Sequence, residues 1–478
     1  MKKLSRRQFL QLSAVAAAGS LWAACAPKAT EEPKEKPEEK PTEKPAEPEE
    51  IKLSIMWRTN PTENPMVDDL IAKWGEKQPN IVVESIVVPW DEYEPKLMTM
   101  YAGDIAPDIY GTGGTNPYIE RYFRGMVVEL DPYVEAEGAD FLEDLYPVGV
   151  KSYTKNGKLV AMTFAVLNAG VFMNATRFDE AGVDYPPVSW EDDTWTWEAM
   201  IETAKKLTLD TDGDGKTDRY GVNTGHWSPW TYTRLWGQDL VSDEDYASGI
   251  CHKWQTDKPE VYDALVEGLQ ARADAIHKHN VTPSPETAQS LGQMGPMLKT
   301  GAVAMDFTGG WAIWGDLPEE FGFRAAANPI GGVNGSGTRV KNTWAEPLQI
   351  CSKTAHPDEA WQWVKFMTVD KDAIAIEIKY RSMIPAARSA FEAYVAEYGP
   401  RLAMNEEEQR TFYREAIEQA ETTVPCHILV GWAAARDIFA GEMEPIWLGE
   451  KSAKEAVNEM IPKVNQRLEE NLKELNLS

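Results

Sequence analysis

Cysteine is scarce in this 478-residue chain, with only Cys25, Cys251, Cys351 and Cys426. So sparse a set builds no disulfide framework, although two of Cys251, Cys351 and Cys426 can pair in an oxidising compartment. Histidine is also rare, and no Cys-x-x-Cys pair occurs. His277 and His279 are two residues apart and so lie on different faces of any helix, leaving no zinc pattern and no haem or iron–sulfur spacing. Positive charge is in deficit: 48 Lys and Arg face 76 Asp and Glu, for a net charge of −28. That balance excludes nucleic acid as a partner and excludes electrostatic adhesion to anionic lipid. Long apolar runs are missing too. The stretch from Leu10 to Ala24 is interrupted by Gln11, Ser13 and Ser20 and falls short of the ~20 residues that span a bilayer. Beyond residue 50 no repeat recurs, which argues against a repetitive scaffold or adhesion module.

What is present begins with Lys2, Lys3 and Ser5-Arg6-Arg7-Gln8-Phe9-Leu10, a charged segment before a short apolar one. Residues 1–24 therefore predict an export signal of twin-arginine type. Leu21-Trp22-Ala23-Ala24-Cys25 resembles a bacterial lipoprotein processing site, with Trp22 standing where such sites usually carry Leu. The resemblance implies that Cys25 becomes the lipidated first residue, held at a membrane by about 0.8 kcal/mol per buried CH₂. The rest of 25–50 is Glu, Lys, Pro, Ala and Thr, with Glu-Lys-Pro recurring at 35–37 and 43–45. It has no apolar periodicity, so it is expected to be a disordered tether that reaches on the order of 75 Å at ~3.1 Å per residue. Together these features predict an exported protein anchored by lipid to the outer face of the cytoplasmic membrane.

From residue 51 the pattern changes. Lys52-Leu53-Ser54-Ile55-Met56-Trp57 alternates apolar and polar, 66–74 has helical spacing, 81–88 is β-branched, 91–102 is helical again, and Asp108-Ile109-Tyr110 begins another strand. Strands alternating with helices imply an α/β fold with βαβ units. Further on, Val303, Met305 and Phe307 alternate with smaller or polar residues, and Gly309-Gly310-Trp311 permits a tight turn. Ligands in open α/β sheets sit beyond strand ends, so this turn is expected to face a small molecule. Residues 453–475 carry an apolar stripe at helical spacing, with a kink expected at Pro462. Two loops invite other chemistry. Asp210, Asp212, Asp214 and Asp218 hold positions 1, 3, 5 and 9 of a calcium loop with Gly215 at position 6, but position 12 is Gly221. A structural calcium ion and an Asx-rich turn both fit that pattern. The glycines of 331–337 lack the Gly-Lys-Ser/Thr ending of a phosphate loop and suit a surface loop.

One family resemblance is carried by the order of several short motifs. Trp90-Asp91-Glu92-Tyr93-Glu94-Pro95-Lys96-Leu97 is followed by Ala102-Gly103-Asp104-Ile105-Ala106-Pro107-Asp108-Ile109. Gly157-Lys158-Leu159-Val160 and Gly170-Val171-Phe172-Met173-Asn174 come next, and then Phe178-Asp179-Glu180-Ala181-Gly182, Pro186-Pro187, Thr196-Trp197-Glu198 and Ile384-Pro385-Ala386. In this order they resemble the extracellular solute-binding protein family 1, the maltose-binding-like receptors of ABC importers. The resemblance implies a two-lobed periplasmic-binding-protein fold of type II, with an interlobe cleft and a hinge. The lobes are expected at 51–165 plus 303–346 and at 166–302 plus 347–478, with crossings near 164–168, 301–305 and 344–349. It further implies a monomeric receptor, without a required cofactor, that passes a carbohydrate to permease subunits. The competing class is a secreted glycoside hydrolase, which needs an aromatic groove and two carboxylates.

Sugars present flat C–H faces rimmed by hydroxyls, so their receptors combine aromatic planes with planar polar groups. Of 18 tryptophans, those at turns and crossings are the candidate platforms: Trp57, Trp227, Trp230, Trp236, Trp311, Trp344 and Trp432. Trp190, Trp195, Trp197, Trp361 and Trp363 have helix or packing contexts and read as structural. The polar candidates are Asn168, Asp306, Glu346 and Arg381, with Gly310 in the turn. Trp344-Ala345 stands where relatives often carry small glycines, so a bulky ring is expected to narrow the cleft.

Overall fold

Strand β1 (Ile51–Arg58) and strand β2 (Ile81–Val88) pair in parallel over their whole length, from Ile51 opposite Ile81 to Arg58 opposite Val88. The connection is helix α1 (Glu63–Lys77), whose Met66, Leu70 and Trp74 recur at helical spacing and are all buried. Helix α2 (Tyr93–Ala102) leads to β3 (Ile109–Tyr110), parallel to β1 on its other side. The computed structural model describes residues 50–113, 118–225, 228–381, 383–420 and 422–477. The export signal, Cys25 and the tether fall outside them.

A small hairpin follows, β4 (Thr154–Lys155) with β5 (Lys158–Leu159). Its Asn156-Gly157 turn has φ of 50° and 76°, the left-handed pair that matches strand twist. The chain then enters β6 (Met162–Asn174), thirteen residues buried throughout. The remaining strands are β7 (Tyr220–Asn223), β8 (Val303–Gly309), β9 (Phe323–Ala326), β10 (Asn342–Ile350), β11 (Ile384–Pro385) and β12 (Thr422–Thr423). The main sheet runs β2-β1-β3-β10-β6-β8-β7, with β9 and β11 against β6 and β12 against β10.

Two strands serve both halves of this sheet. The first half of β6 pairs antiparallel with β10, Ala165 opposite Glu346 and Asn168 opposite Thr343. Its second half pairs with β8 and β9, Met173 lying opposite both Met305 and Arg324. Strand β10 in turn reaches β3 through Gln349 and Ile350, with a register shift between Glu346 and Pro347. Proline cannot donate to a ladder, which accounts for the break.

The expected crossings at 164–168 and 344–349 fall on β6 and β10. The one at 301–305 does not occur. Residues 303–309 pair with β7 and with the far half of β6, so they stand in the second-lobe sheet and not in the first. Strand β9 pairs with that same half of β6, so 303–326, expected in the first lobe, sit beside β7 and the far half of β6. Conversely, helices α6 (Pro357–Val369) and α7 (Lys371–Tyr380), assigned by sequence to the second lobe, pack on the first. Trp74 meets Trp363 edge-on at 5.4 Å, and Lys77 pairs with Asp370 at 2.9 Å. Period-2 alternation marks a strand but says nothing of its partner.

Helix α3 (Trp197–Leu207) covers the second lobe, its first turn capped by Thr196, which accepts the Ala199 N–H. Further helices of this part of the chain are α4 (Pro229–Leu235), α5 (Pro259–His277), α8 (Glu406–Glu418), α9 (Trp432–Trp447) and α10 (Ala453–Glu474). The α10 stripe of Val457, Met460, Val464 and Leu468 is buried, and the helix runs through Pro462. Cys251, Cys351 and Cys426 are all free thiols, so no pair among them is bridged.

The β7–α3 contact admits no side chain at Gly221, where a Cβ would lie 2.1 Å from the Ala204 carbonyl oxygen. Gly221→Ala is expected to cost about 1–3 kcal/mol, measured as a lower denaturant midpoint at an unchanged slope.

Candidate ligand-binding cavity

The lobes' shared strands open onto a cavity of about 640 Å³. Trp344 and Glu346 project into it from β10 because residues two apart share a strand face. Leu167 enters from β6, directly opposite Trp344 in the ladder. Arg58 ends β1, and Thr59, Asn60 and Thr62 follow it; the Asn60 side chain accepts the Thr62 N–H at 2.8 Å and so shapes the turn into α1. Trp90 enters just past β2, while Trp311 and Trp314 stand in the 3₁₀ turn after β8. Gly309 leaves room for that turn, since a Cβ there would sit 2.1 Å from the Trp311 ring.

Four indoles thus surround one space. Trp311 and Trp344 meet edge to face at a centroid distance of 4.5 Å. The Arg58 guanidinium lies 5.3 Å from the Trp90 ring centre and 6.0 Å from that of Trp314, a cation–π arrangement that holds the side chain in one orientation.

Beneath this wall lies a buried charge network. Glu63, the first residue of α1, accepts Arg58 Nε at 2.5 Å and Nη2 at 2.6 Å, and Arg381 Nη1 at 2.6 Å. Burial alone would raise the Glu63 carboxyl, but the two guanidinium groups outweigh it and hold its pKa low. Glu346 is the opposite case: burial raises its pKa, and Arg58 and Arg381 only partly offset the rise. Its Oε2 has no hydrogen-bond partner, and the nearest cation, Arg58 Nη1, is 3.6 Å away. His427 completes the floor. Its Nδ1 is 3.2 Å from the Ala345 carbonyl, which only accepts, so Nδ1 carries the proton. Burial lowers its pKa to about 3, and the ring stays neutral at physiological pH. Burial also raises the neighbouring Cys426 thiol to about 12, which makes it a poor nucleophile.

The cavity brings together three of the residues expected from sequence, Trp311, Trp344 and Glu346, with Gly310 buried beside them. Arg381 is fully buried behind it, acting on Arg58 through Glu63. The other candidates are placed elsewhere. Trp57 is buried against Phe164, its ring 5.7 Å away, because it points to the face of β1 opposite Arg58. Trp230 donates to the Tyr246 hydroxyl at 2.7 Å in the second-lobe core, and Trp432 packs against Trp254 and Phe439. Trp236 packs on Trp197. Asn168 is buried within β6, and Asp306 accepts the Asn223 amide at 3.0 Å. Trp227 lies outside the described residues. Sequence reasoning missed Arg58, Asn60, Trp90, Trp314 and His427. Trp90 follows β2 at a turn, and Trp314 shares the Trp311 turn, so the rule that picked tryptophans at turns finds both; nothing local marks His427.

In the acidic loop, Asp210, Asp212 and Asp218 bring oxygens within 4.8 Å of one another at the surface. These oxygens accept the loop's own N–H groups, Asp210 from Gly213 and Gly215 and Asp218 from Thr211, while Asp214 caps Lys216. That is the Asx-turn arrangement, and nothing in it argues for calcium.

A family model described as bacterial extracellular solute-binding protein matches residues 60–374. This chain belongs to that family. A Brucella abortus (strain 2308) protein named as a binding protein is 22% identical to this solute-binding protein over 349 residues, 70% of this chain and 74% of its own length. Among solved structures, an ABC substrate-binding protein from Listeria monocytogenes in complex with cycloalternan superposes with a TM-score of 0.70 at 19% identity, covering 87% of this chain and 99% of that one. The maltose/maltodextrin-binding domain from Bdellovibrio bacteriovorus bound to maltotriose gives 0.65 at 18%, covering 87% and 100%. A Thermotoga lettingae solute-binding protein bound with α-D-tagatose also gives 0.65 at 18%, with the same coverage. Their shared architecture is the two-lobed maltose-binding-like fold.

Behind the cavity of this solute-binding protein, Glu377 on α7 is buried with neither carboxyl oxygen partnered. Burial raises its pKa to about 8, which Arg381 only partly opposes. A raised folded-state pKa means that its stabilising contribution is complete below about 4.5 and is lost as pH climbs through 8. Glu377→Gln should therefore raise the melting temperature at pH 8, by about 1 kcal/mol or more of stability, and change little at pH 4.5.

Proposed function

We propose that this chain captures a carbohydrate, an oligosaccharide or polyol, in the cavity between its lobes and delivers it to the permease of an ABC importer. The observation that carries the reading is the ring of Trp90, Trp311, Trp314 and Trp344 around a space whose floor is polar. Indole faces suit the C–H planes of sugars, and Arg58, Asn60 and Glu346 suit their hydroxyls. About 640 Å³ is also within the ~300–1,000 Å³ that small-molecule sites occupy. The bound cycloalternan, maltotriose and tagatose of the similar structures support the same ligand class.

Binding without turnover follows from the same wall. Glycoside hydrolysis uses two carboxylates flanking the bond, whereas Glu346 is the one acid lining the cavity among the described residues. The export signal at 1–24, lipidation at Cys25 and the tether would then place a monomeric receptor beside its permease. Ligand closes the lobes by hinge motion, and the permease reads closure.

Titration with oligosaccharides should raise the melting temperature, with about 2.7 kcal/mol gained at a ligand concentration 100 times Kd, and leave the sugar intact by chromatography. Turnover would contradict the receptor reading. Trp311→Ala should weaken that binding by about tenfold or more, with a much smaller effect on the melting temperature of the empty protein.

A further inference from the structure

A lysine sealed from water in so acidic a chain is expected to meet a carboxylate. Lys155, at the end of β4, is 2% exposed, yet its Nζ donates to a backbone carbonyl, that of Tyr246, at 2.9 Å. Burial lowers its pKa to about 8, and among the described residues no opposite charge offsets the fall. An ammonium has three N–H groups, and a buried cation without a counter-charge is costly. The stem is held in place as well. It lies against Gly249, where φ is 81° and a Cβ would stand 3.1 Å from Lys155 Cδ.

Lys155 borders a cavity of about 330 Å³ that shares no lining residue with the four-tryptophan cavity. Lys151, Arg234, Asp239, Asp243 and Tyr246 line it too. Asp239 is already committed: it accepts the Val241 N–H at 2.9 Å and the Tyr246 hydroxyl at 3.1 Å, and pairs with Arg234 at 3.5 Å. Asp245, beside Tyr246, is taken by His252 at 2.6 Å. That leaves Lys151 and Lys155 against Asp243, a local excess of positive charge in a chain whose net charge is −28.

We propose that this cavity is a second binding site, for the oxyanion group of a small solute, held by Lys155 from within and by Lys151 from the exposed rim. An oxyanion supplies both things that Lys155 lacks, acceptors for its other N–H groups and a counter-charge. A neutral hydroxyl supplies only an acceptor, and a cation supplies neither. About 330 Å³ lies at the lower end of the ~300–1,000 Å³ of small-molecule sites, so the anion has room for a modest organic part. The lining comes from both sides of β6, since Lys151 and Lys155 precede that strand and Arg234 and Tyr246 follow it. A bound anion therefore ties the β4–β5 hairpin to the short helix Asp243–Ser248. The empty site carries the cost of an uncompensated ammonium, which the anion removes.

The test is thermal melting and calorimetry of the full mature protein with sodium phosphate, sulfate and acetate, each matched in ionic strength by sodium chloride. At least one of the three should raise the melting temperature saturably beyond chloride. Preferential exclusion, by which sulfate stabilises proteins in general, neither saturates nor depends on one side chain. Lys155→Met keeps the stem and removes the charge. The empty variant should melt at least as high as wild type, and its affinity for the anion should fall about tenfold or more. Lys151→Ala, at an exposed position, should weaken the same affinity by a smaller factor. A selenate soak of wild-type crystals reads the site even where Lys155→Met does not fold, and should place the anion within about 3 Å of Lys155 Nζ. No saturable shift with any of the three anions, an affinity unchanged in either variant, or selenate bound only elsewhere overturns the proposal. None of these results bears on the sugar titration, because the two cavities have separate linings.

Discussion

A carboxylate sealed from water and gripped by two guanidinium groups is the constraint on which the cavity depends. Glu63 begins α1, Arg58 ends β1, and Arg381 follows α7. Their ion pairs fasten the β1–α1 turn to the end of α7, more than 300 residues further along the chain. Charges taken out of water are costly, and the cost is recovered only when every partner is in place. Glu63 also benefits from standing in the first turn of a helix, where the macrodipole favours an anion. Because two of the three Arg58 nitrogens are held there, the third is left facing Glu346. The geometry of the binding floor is thus set by a residue that does not line it.

Above that floor, β6 and β10 determine which side chains face the cavity. Each strand belongs to both halves of the sheet, so Leu167, Trp344 and Glu346 stand at the junction of the lobes. The other walls come from turns on either side: Asn60 and Trp90 from the first lobe, Trp311 and Trp314 from the second. On the proposed reading, a ligand that touches both sets would gain most when the lobes approach, and that differential contact would drive closure.

Much of the fold was legible before the structure. The parallel pairing of β1 and β2 through α1 follows from period-2 strands around a helical stripe, and the order of motifs matched the family over most of the chain. What failed were statements about partners. Residues 303–309 read correctly as a strand and a turn, but joined β7 and not the first lobe. Residues 357–380, which the sequence reading placed with the second lobe, form two helices that pack on α1. The site divides in the same way. Trp311, Trp344 and Glu346 were found because they sit at turns and shared strands, whereas Trp57, Trp230 and Trp432 satisfied the same rule and went into cores. A tryptophan buries its large area in either setting, and only the surrounding packing decides which. Arg58 and His427 gave no local signal because their roles depend on groups distant in sequence, Arg381 and Glu346 for one and Ala345 for the other.

The most direct measurement is a crystal structure of the mature protein with its best-bound saccharide. The account predicts a sugar ring against the indoles of Trp311 and Trp344, within the cavity lined by Arg58, Asn60 and Trp90. A saccharide seated elsewhere, such as the polar groove beside Arg234 and Arg339, with the four-tryptophan cavity unoccupied, would contradict it.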